Sequence, residues 1–344
     1  MTSIRVASSR HSFLLAAAVA LALATTAAAG AATTLLKIPG GERGLGFDDL
    51  GYAPALGRVL VPAAQSGALV LVDPANDALK VLPHIVPGTV GPDHDDAGTT
   101  SADYGEGLLF ASDHAHMAVV AVDPRTGAVV ARAQLAGGPD YVRYVAPLHQ
   151  VWVSEPRMKQ IERFAVTAGV HPALTRVGAV SVPGGPESLV IDAARGQAYS
   201  NEWKDHTVAI PLRLRDPRVT ARWVNGCEGS RGLALDNAGH TLFVGCKEGK
   251  VVALDLDHAG KIEASAKVGA GVDIIAWNPA LHHLYAPGAV SATMSVLDFH
   301  DGALKPVATI PTAAHAHCVA TDGKSVAYVC DPGAGALIVY RDHS

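Results

Sequence analysis

The chain has 344 residues, a formal net charge of −5, 49% hydrophobic residues and only 5% aromatic ones. Apolar content on that scale excludes a disordered chain, and the lack of any basic stripe interleaved with aromatics excludes nucleic acid as a partner class. Small and β-branched apolar residues dominate, which suits closely stacked sheets.

The first element is a leader. Arg5 and Arg10 precede an apolar run from Phe13 to Ala24, and Ala27-Ala28-Ala29 follows with small side chains. This is the layout of a secretory signal peptide, and the run is short for a membrane span. Residues 1–29 therefore read as signal peptide and 30–344 as the mature domain. The expectation is a soluble periplasmic or secreted monomer with no membrane span.

Beyond the leader a unit of about 43 residues recurs. Its third apolar stretch is the clearest, as in Val70-Leu71-Val72-Asp73, Val120-Ala121-Val122-Asp123, Val252-Ala253-Leu254-Asp255 and Ser295-Val296-Leu297-Asp298. Spacings between Val72, Val122, Phe164, Ile210, Leu254, Leu297 and Tyr340 are 50, 42, 46, 44, 43 and 43 residues. That is the period of a four-stranded propeller blade. The prediction is all-β, a seven-bladed β-propeller. The last unit stops after its third strand at Tyr340, and the orphan strand Thr33 to Ile38 is expected to complete it. Such closure leaves no exposed seam.

Inner hairpins are placed by their turns. Leu50 to Tyr52 and Arg58 to Val61 flank Pro54, and Val142 to Val145 and Gln150 to Ser154 flank Pro147. Ile274 to Trp277 and His283 to Ala286 flank Asn278-Pro279, and Val319 to Thr321 and Ser325 to Val329 flank Asp322-Gly323-Lys324. The long spacing marks an insertion around Gly88 to Gly107, with Asp93, His94, Asp95 and Asp96 in it. Trp203, Trp223 and Trp277 read as blade-packing residues. Of the four cysteines, Cys227 and Cys246 fall at one mouth and suit a bridge. Cys318 and Cys330 suit one less well, being expected out of register and on opposite faces.

The phrases Gly46-Phe47-Asp48-Asp49, Pro139-Asp140-Tyr141-Val142-Arg143, Gly185-Pro186-Glu187-Ser188 and Asp236-Asn237-Ala238-Gly239-His240-Thr241-Leu242-Phe243-Val244-Gly245-Cys246 resemble the YncE-like, YVTN-type β-propeller repeat proteins. So does Asp322-Gly323-Lys324-Ser325-Val326-Ala327-Tyr328-Val329. The resemblance spans the mature chain and implies an exported propeller with no shared catalytic motif. The chain departs from the repeat's usual Tyr-Val-Thr-Asn, with Val61-Pro62, Ser112-Asp113, Asn201-Glu202 and Pro287-Gly288 at the second strand's end.

Aligned on their second strands, the units place an ionisable residue at the head of each inner strand. These are Asp48, Asp140, Glu187, Arg231, Asp273 and, with a one-residue deletion, His315; in the inserted blade the position falls on Asp95 or Asp96. Together with Arg143 they form the candidate ligand-binding set at one mouth of the channel. Converging carboxylates suit a hard divalent cation, Ca²⁺ or Mg²⁺. Arg143 and Arg231 suit an anionic group or the ring's own acids. His114-Ala115-His116 and His315-Ala316-His317 are His-x-His pairs, with the first expected in a loop between outer strands. No nucleophile elbow, His-Glu-x-x-His or phosphate loop occurs. Three readings stay open: a module binding a small polar ligand, cation or protein partner; a metal-dependent lactonase-type hydrolase or lyase with His315 or His317 carrying the proton; and an accessory subunit of a periplasmic electron-transfer enzyme.

Overall fold

Seven four-stranded antiparallel sheets make up the computed structural model, which describes residues 1–2, 33–88, 97–213 and 215–343. Residues 31–344 form one compact unit. The leader and the insertion residues Asp93, His94, Asp95 and Asp96 lie outside the described residues.

Blades 1 to 6 run in chain order, spanning 51–82, 102–134, 142–181, 190–224, 230–267 and 276–311. Blade 7 takes three strands from 319–341 and its outer strand from Thr33–Lys37. Thr33–Lys37 pairs antiparallel with Ala336–Arg341, Thr33 facing Tyr340 and Lys37 facing Ala336. The predicted closure is thus observed. Gly335 sits in the left-handed region at φ 55°, where a Cβ would run into the carbonyl of Gly41, so only glycine lets the first and last segments meet this closely. Each inner strand touches the next around the channel, and blade 7's touches blade 1's.

The core lies between successive sheets. Leu60, Leu71 and Val120 pack between blades 1 and 2; Phe243, Trp277 and Phe299 pack between blades 5 and 6. The third strands that reveal the repeat are enclosed by the sheets on either side: Leu69, Val70 and Val72 are fully buried, and each such side chain contributes about 1.5–3 kcal/mol on leaving water. The acid ending these strands works in the turn beyond it. Asp73 accepts the N–H of Ala75 at 3.0 Å, Asp123 that of Arg125 at 2.8 Å and Asp255 that of Asp257 at 2.8 Å, the side chain standing in for a backbone acceptor.

Trp277 packs on Phe243 at 4.9 Å between centroids, and Trp223 on Tyr199 at 5.9 Å. Trp203 does not pack: it is 47% exposed in the loop after the second strand of blade 4. Both cysteine pairs are bridged, with Cα separations of 5.3 Å for Cys227–Cys246 and 5.5 Å for Cys318–Cys330. The second bridge corrects the register expected from sequence. Asp322 accepts the N–H groups of Lys324, Ser325 and Val326 at 2.9–3.0 Å. That widens the turn, so Thr321 faces Ala327 and Val319 faces Val329. Continuing the ladder brings Cys330 opposite Cys318, and its N–H reaches the Cys318 carbonyl at 3.0 Å.

Candidate functional site

One cavity of about 680 Å³ opens at the mouth where the inner strands begin. Asp48, Asp140, Glu187, Arg231, Asp273 and His315 all line it, as do Arg43, Lys247 and His317. The heads of strands from different blades thus converge as the spacing predicts. Arg143 is not among them. Three residues beyond Asp140 on an extended strand, it lies roughly 10 Å further down the channel. There its guanidinium grips Asp49 through two bonds of 2.5 and 2.9 Å. Ser101 Oγ donates to the same carboxylate at 2.6 Å, and Arg143 lies over the Tyr141 ring at 5.1 Å. Burial works against the Arg143 charge, but Asp49 outweighs it and holds the guanidinium above its ordinary value.

Strand pairing also reassigns two ring positions. In blade 3, Asp140 stands two residues ahead of Val142, whose partner Val153 is two short of that strand's end at Glu155. In blade 7, Val319 pairs with Val329, two short of Asp331, so the equivalent residue is His317 and not His315. His315 belongs to the preceding turn, with φ 65°. In blade 2, Ala102 pairs with Ala111, two short of Asp113, which puts Thr100 at the position expected for Asp95 or Asp96. Thr100 is buried, its Oγ1 2.8 Å from His114 Nε2. His116 Nδ1 lies 3.0 Å from Asp113. The His114/His116 pair therefore serves the blade.

The mouth is electrostatically crowded. Burial, then repulsion by Asp48, Glu187 and Asp273, pushes the Asp140 carboxyl well above the ordinary range. Burial pushes Glu187 up to about 8, with Arg231, 3.2 Å away, opposing and Asp273 reinforcing the rise. Burial first, and mutual repulsion after it, thus favour the neutral form of both carboxyls.

Asp48, Asp273 and His317 come from blades 1, 6 and 7, which are consecutive around the ring. One ligand atom of each lies within 4.8 Å of the others. Local structure brings them together: the Ile274 N–H donates to the His317 carbonyl at 2.9 Å, tying the heads of blades 6 and 7 side by side. The adjoining Cys318–Cys330 bridge pins the strand that carries His317. His317 Nδ1 is 2.7 Å from the His315 carbonyl. A carbonyl only accepts, so Nδ1 carries the proton and Nε2 offers its lone pair. The other clusters of potential ligands among the described residues, His317-Cys318-Cys330 and Cys227-Cys246-Glu248, each include a bridged cysteine pair, which offers no thiolate.

No protein-family model matches the chain, and no curated protein matches it. Solved structures do. A chain from the crystal structure of the mitotic checkpoint complex superposes with a TM-score of 0.73 at 12% identity, covering 98% of this chain and 99% of that one. A chain of Kuenenia stuttgartiensis hydrazine synthase gives 0.69 at 12% identity over 90% and 97%. U3-55K gives 0.71 at 8% identity over 90% and 98%. At these identities the likeness is one of fold alone, and the fold is the seven-bladed β-propeller.

Proposed function

We propose that this chain is an exported binding propeller whose channel mouth takes a divalent cation together with a small polar ligand. One observation carries the reading: Asp48, Asp140, Glu187 and Asp273, drawn from four blades, converge on a single cavity beside His315 and His317. Asp48 and Asp273 each bring a ligand atom to within 4.8 Å of one of His317, a spacing that a shared cation would bridge. Arg43, Arg231 and Lys247 on the same wall suit an anionic group on the far end of the ligand.

The repeat phrases support kinship with the YncE-like propellers. The Arg5 to Ala29 leader and two disulfides suit an oxidising compartment outside the cytosol. No helix among the described residues is long and apolar enough to cross a membrane. N-terminal sequencing of the periplasmic and secreted fractions checks export: a start near Gly30 is expected, and an intact Met1 sinks it. Equilibrium dialysis of the mature protein against Ca²⁺, Mg²⁺, Co²⁺ and Zn²⁺ checks the site. Stoichiometric uptake of at least one ion, lost in Asp273→Asn, is expected, and uptake of none ends the reading.

A second reading draws on the protonated state of Glu187. A carboxyl that keeps its proton up to about pH 8 can donate it at neutral pH, as the lactonase-type hydrolase would need. Turnover in a lactone and ester panel, abolished in Glu187→Gln, is its test.

A further inference from the structure

We propose that Asp48, Asp273 and His317 form a site for a divalent first-row transition ion of the Zn²⁺ or Co²⁺ type, held at the mouth by three protein ligands. This rests on the reading of the mouth as a cation site and names the ion and its ligands.

Donor chemistry selects the metal class. Ca²⁺ and Mg²⁺ take oxygen ligands, whereas one imidazole beside two carboxylates suits Zn²⁺, Co²⁺ or Fe²⁺. Distance allows it. Bonds of about 2.0–2.2 Å set ligand atoms roughly 3.4 Å apart around a tetrahedral ion. One ligand atom of each residue lies within 4.8 Å of the others, and rotation of the two carboxylates closes the gap.

The imidazole is prepared for the task by a group outside the trio. The His315 carbonyl takes the Nδ1 proton at 2.7 Å, fixing the ring's orientation and leaving Nε2 to coordinate. Metal-bound histidines are held in this way, with the distal nitrogen on a carbonyl or carboxylate. His315 contributes its backbone only, in a turn at φ 65°. The Ile274–His317 backbone bond and the Cys318–Cys330 bridge supply the rigidity such a site needs.

Three protein ligands leave further coordination positions open. Those positions would face the cavity of about 680 Å³ lined by Arg231, Lys247 and Arg43. The ion would therefore bind a second, exchangeable ligand, and the cationic wall favours one with a carboxylate or phosphate.

The test uses the mature protein, stripped with chelator and dialysed, titrated with Co²⁺ and followed by visible absorption and equilibrium dialysis. One Co²⁺ per chain is expected, displaced by Zn²⁺ but not by a roughly thousandfold excess of Ca²⁺ or Mg²⁺. His317→Gln should weaken Co²⁺ binding by roughly 100-fold or more. Should His317→Gln fail to fold, Asp48→Asn and Asp273→Asn are each expected to give the same loss. Ca²⁺ or Mg²⁺ displacing Co²⁺, or binding indifferent to His317→Gln, overturns the assignment while the mouth remains a cation site. Uptake of none of the four ions removes both.

Discussion

Two layers of the same channel treat charge in opposite ways. At the waist, Asp49 receives both arms of Arg143 and the Ser101 hydroxyl, and Asp103 beside them accepts the N–H groups of Tyr104 and Tyr144. At the mouth, four carboxyls share a cavity in which Glu187 has Arg231 as a partner while Asp140 is surrounded mainly by like charge. The waist uses its ion pair to hold blades together; the mouth gathers acids from four blades around one open cavity. Both layers come from the same short inner strands. Ionisable residues on a propeller's inner wall therefore reveal their role only through their depth and their partners.

Arg143→Met should separate the layers most sharply. It strands a buried Asp49 carboxylate, and a loss of about 3–5 kcal/mol in denaturant unfolding is expected; a loss under about 1 kcal/mol would erase the distinction. Next, replacing Cys318 and Cys330 together with alanine should cost about 3 kcal/mol, the scale for so short a closed loop. It should also weaken ion uptake at the mouth while leaving the waist pair intact.

A pH effect is confined to the mouth. The folded Glu187 pKa of about 8 stands above its ordinary 4.5. The neutral form is therefore the one the fold favours. Its contribution is complete below the unfolded pKa and is lost as pH rises through about 8. Ion-free protein should lose stability over that window, by at most about 1.4 kcal/mol per pH unit, and Glu187→Gln should flatten the slope. A melt series at about pH 5, 7 and 9 reads this, and stability rising across the window counts against the assignment. The smallest stability effect belongs to Asp140→Asn. Arg143 is held by Asp49 and Arg231 by Glu187, so neither cation is stranded, and unfolding should shift by about 0.5 kcal/mol or less while ion uptake falls. A drop near about 3 kcal/mol would make the mouth as structural as the waist.

The repeat was legible because each third strand is sealed on both sides, so its apolar residues cannot drift to polar ones. Closure by Thr33–Lys37 was legible because the last unit lacks one strand. What sequence could not supply was register. Asp322 reaches three N–H groups and widens one turn, and that alone moves the ring position from His315 to His317 and brings Cys318 opposite Cys330. In blade 2 the insertion drew attention to Asp95 and Asp96, while the ladder continues to Thr100. By sequence Arg143 belongs to the ligand-binding set, but a few positions along a strand decide whether it meets ligand or a neighbouring blade, and only pairing across the channel shows that Asp49 claims it.

The joint between Thr33–Lys37 and Ala336–Arg341 has a kinetic consequence. Asp48 and His317 are 269 positions apart in the chain, yet they sit on the two blades that this joint brings together. Contacts of such long range are slow to form, because nearly the whole chain must be looped to make them. The mouth is thus among the last parts of the molecule to exist during folding. Anything bound between blades 1 and 7 acts as a clasp across the one place where the ring is held by strand pairing rather than by a continuous chain, and its effect should be read most directly in a slower rate of opening.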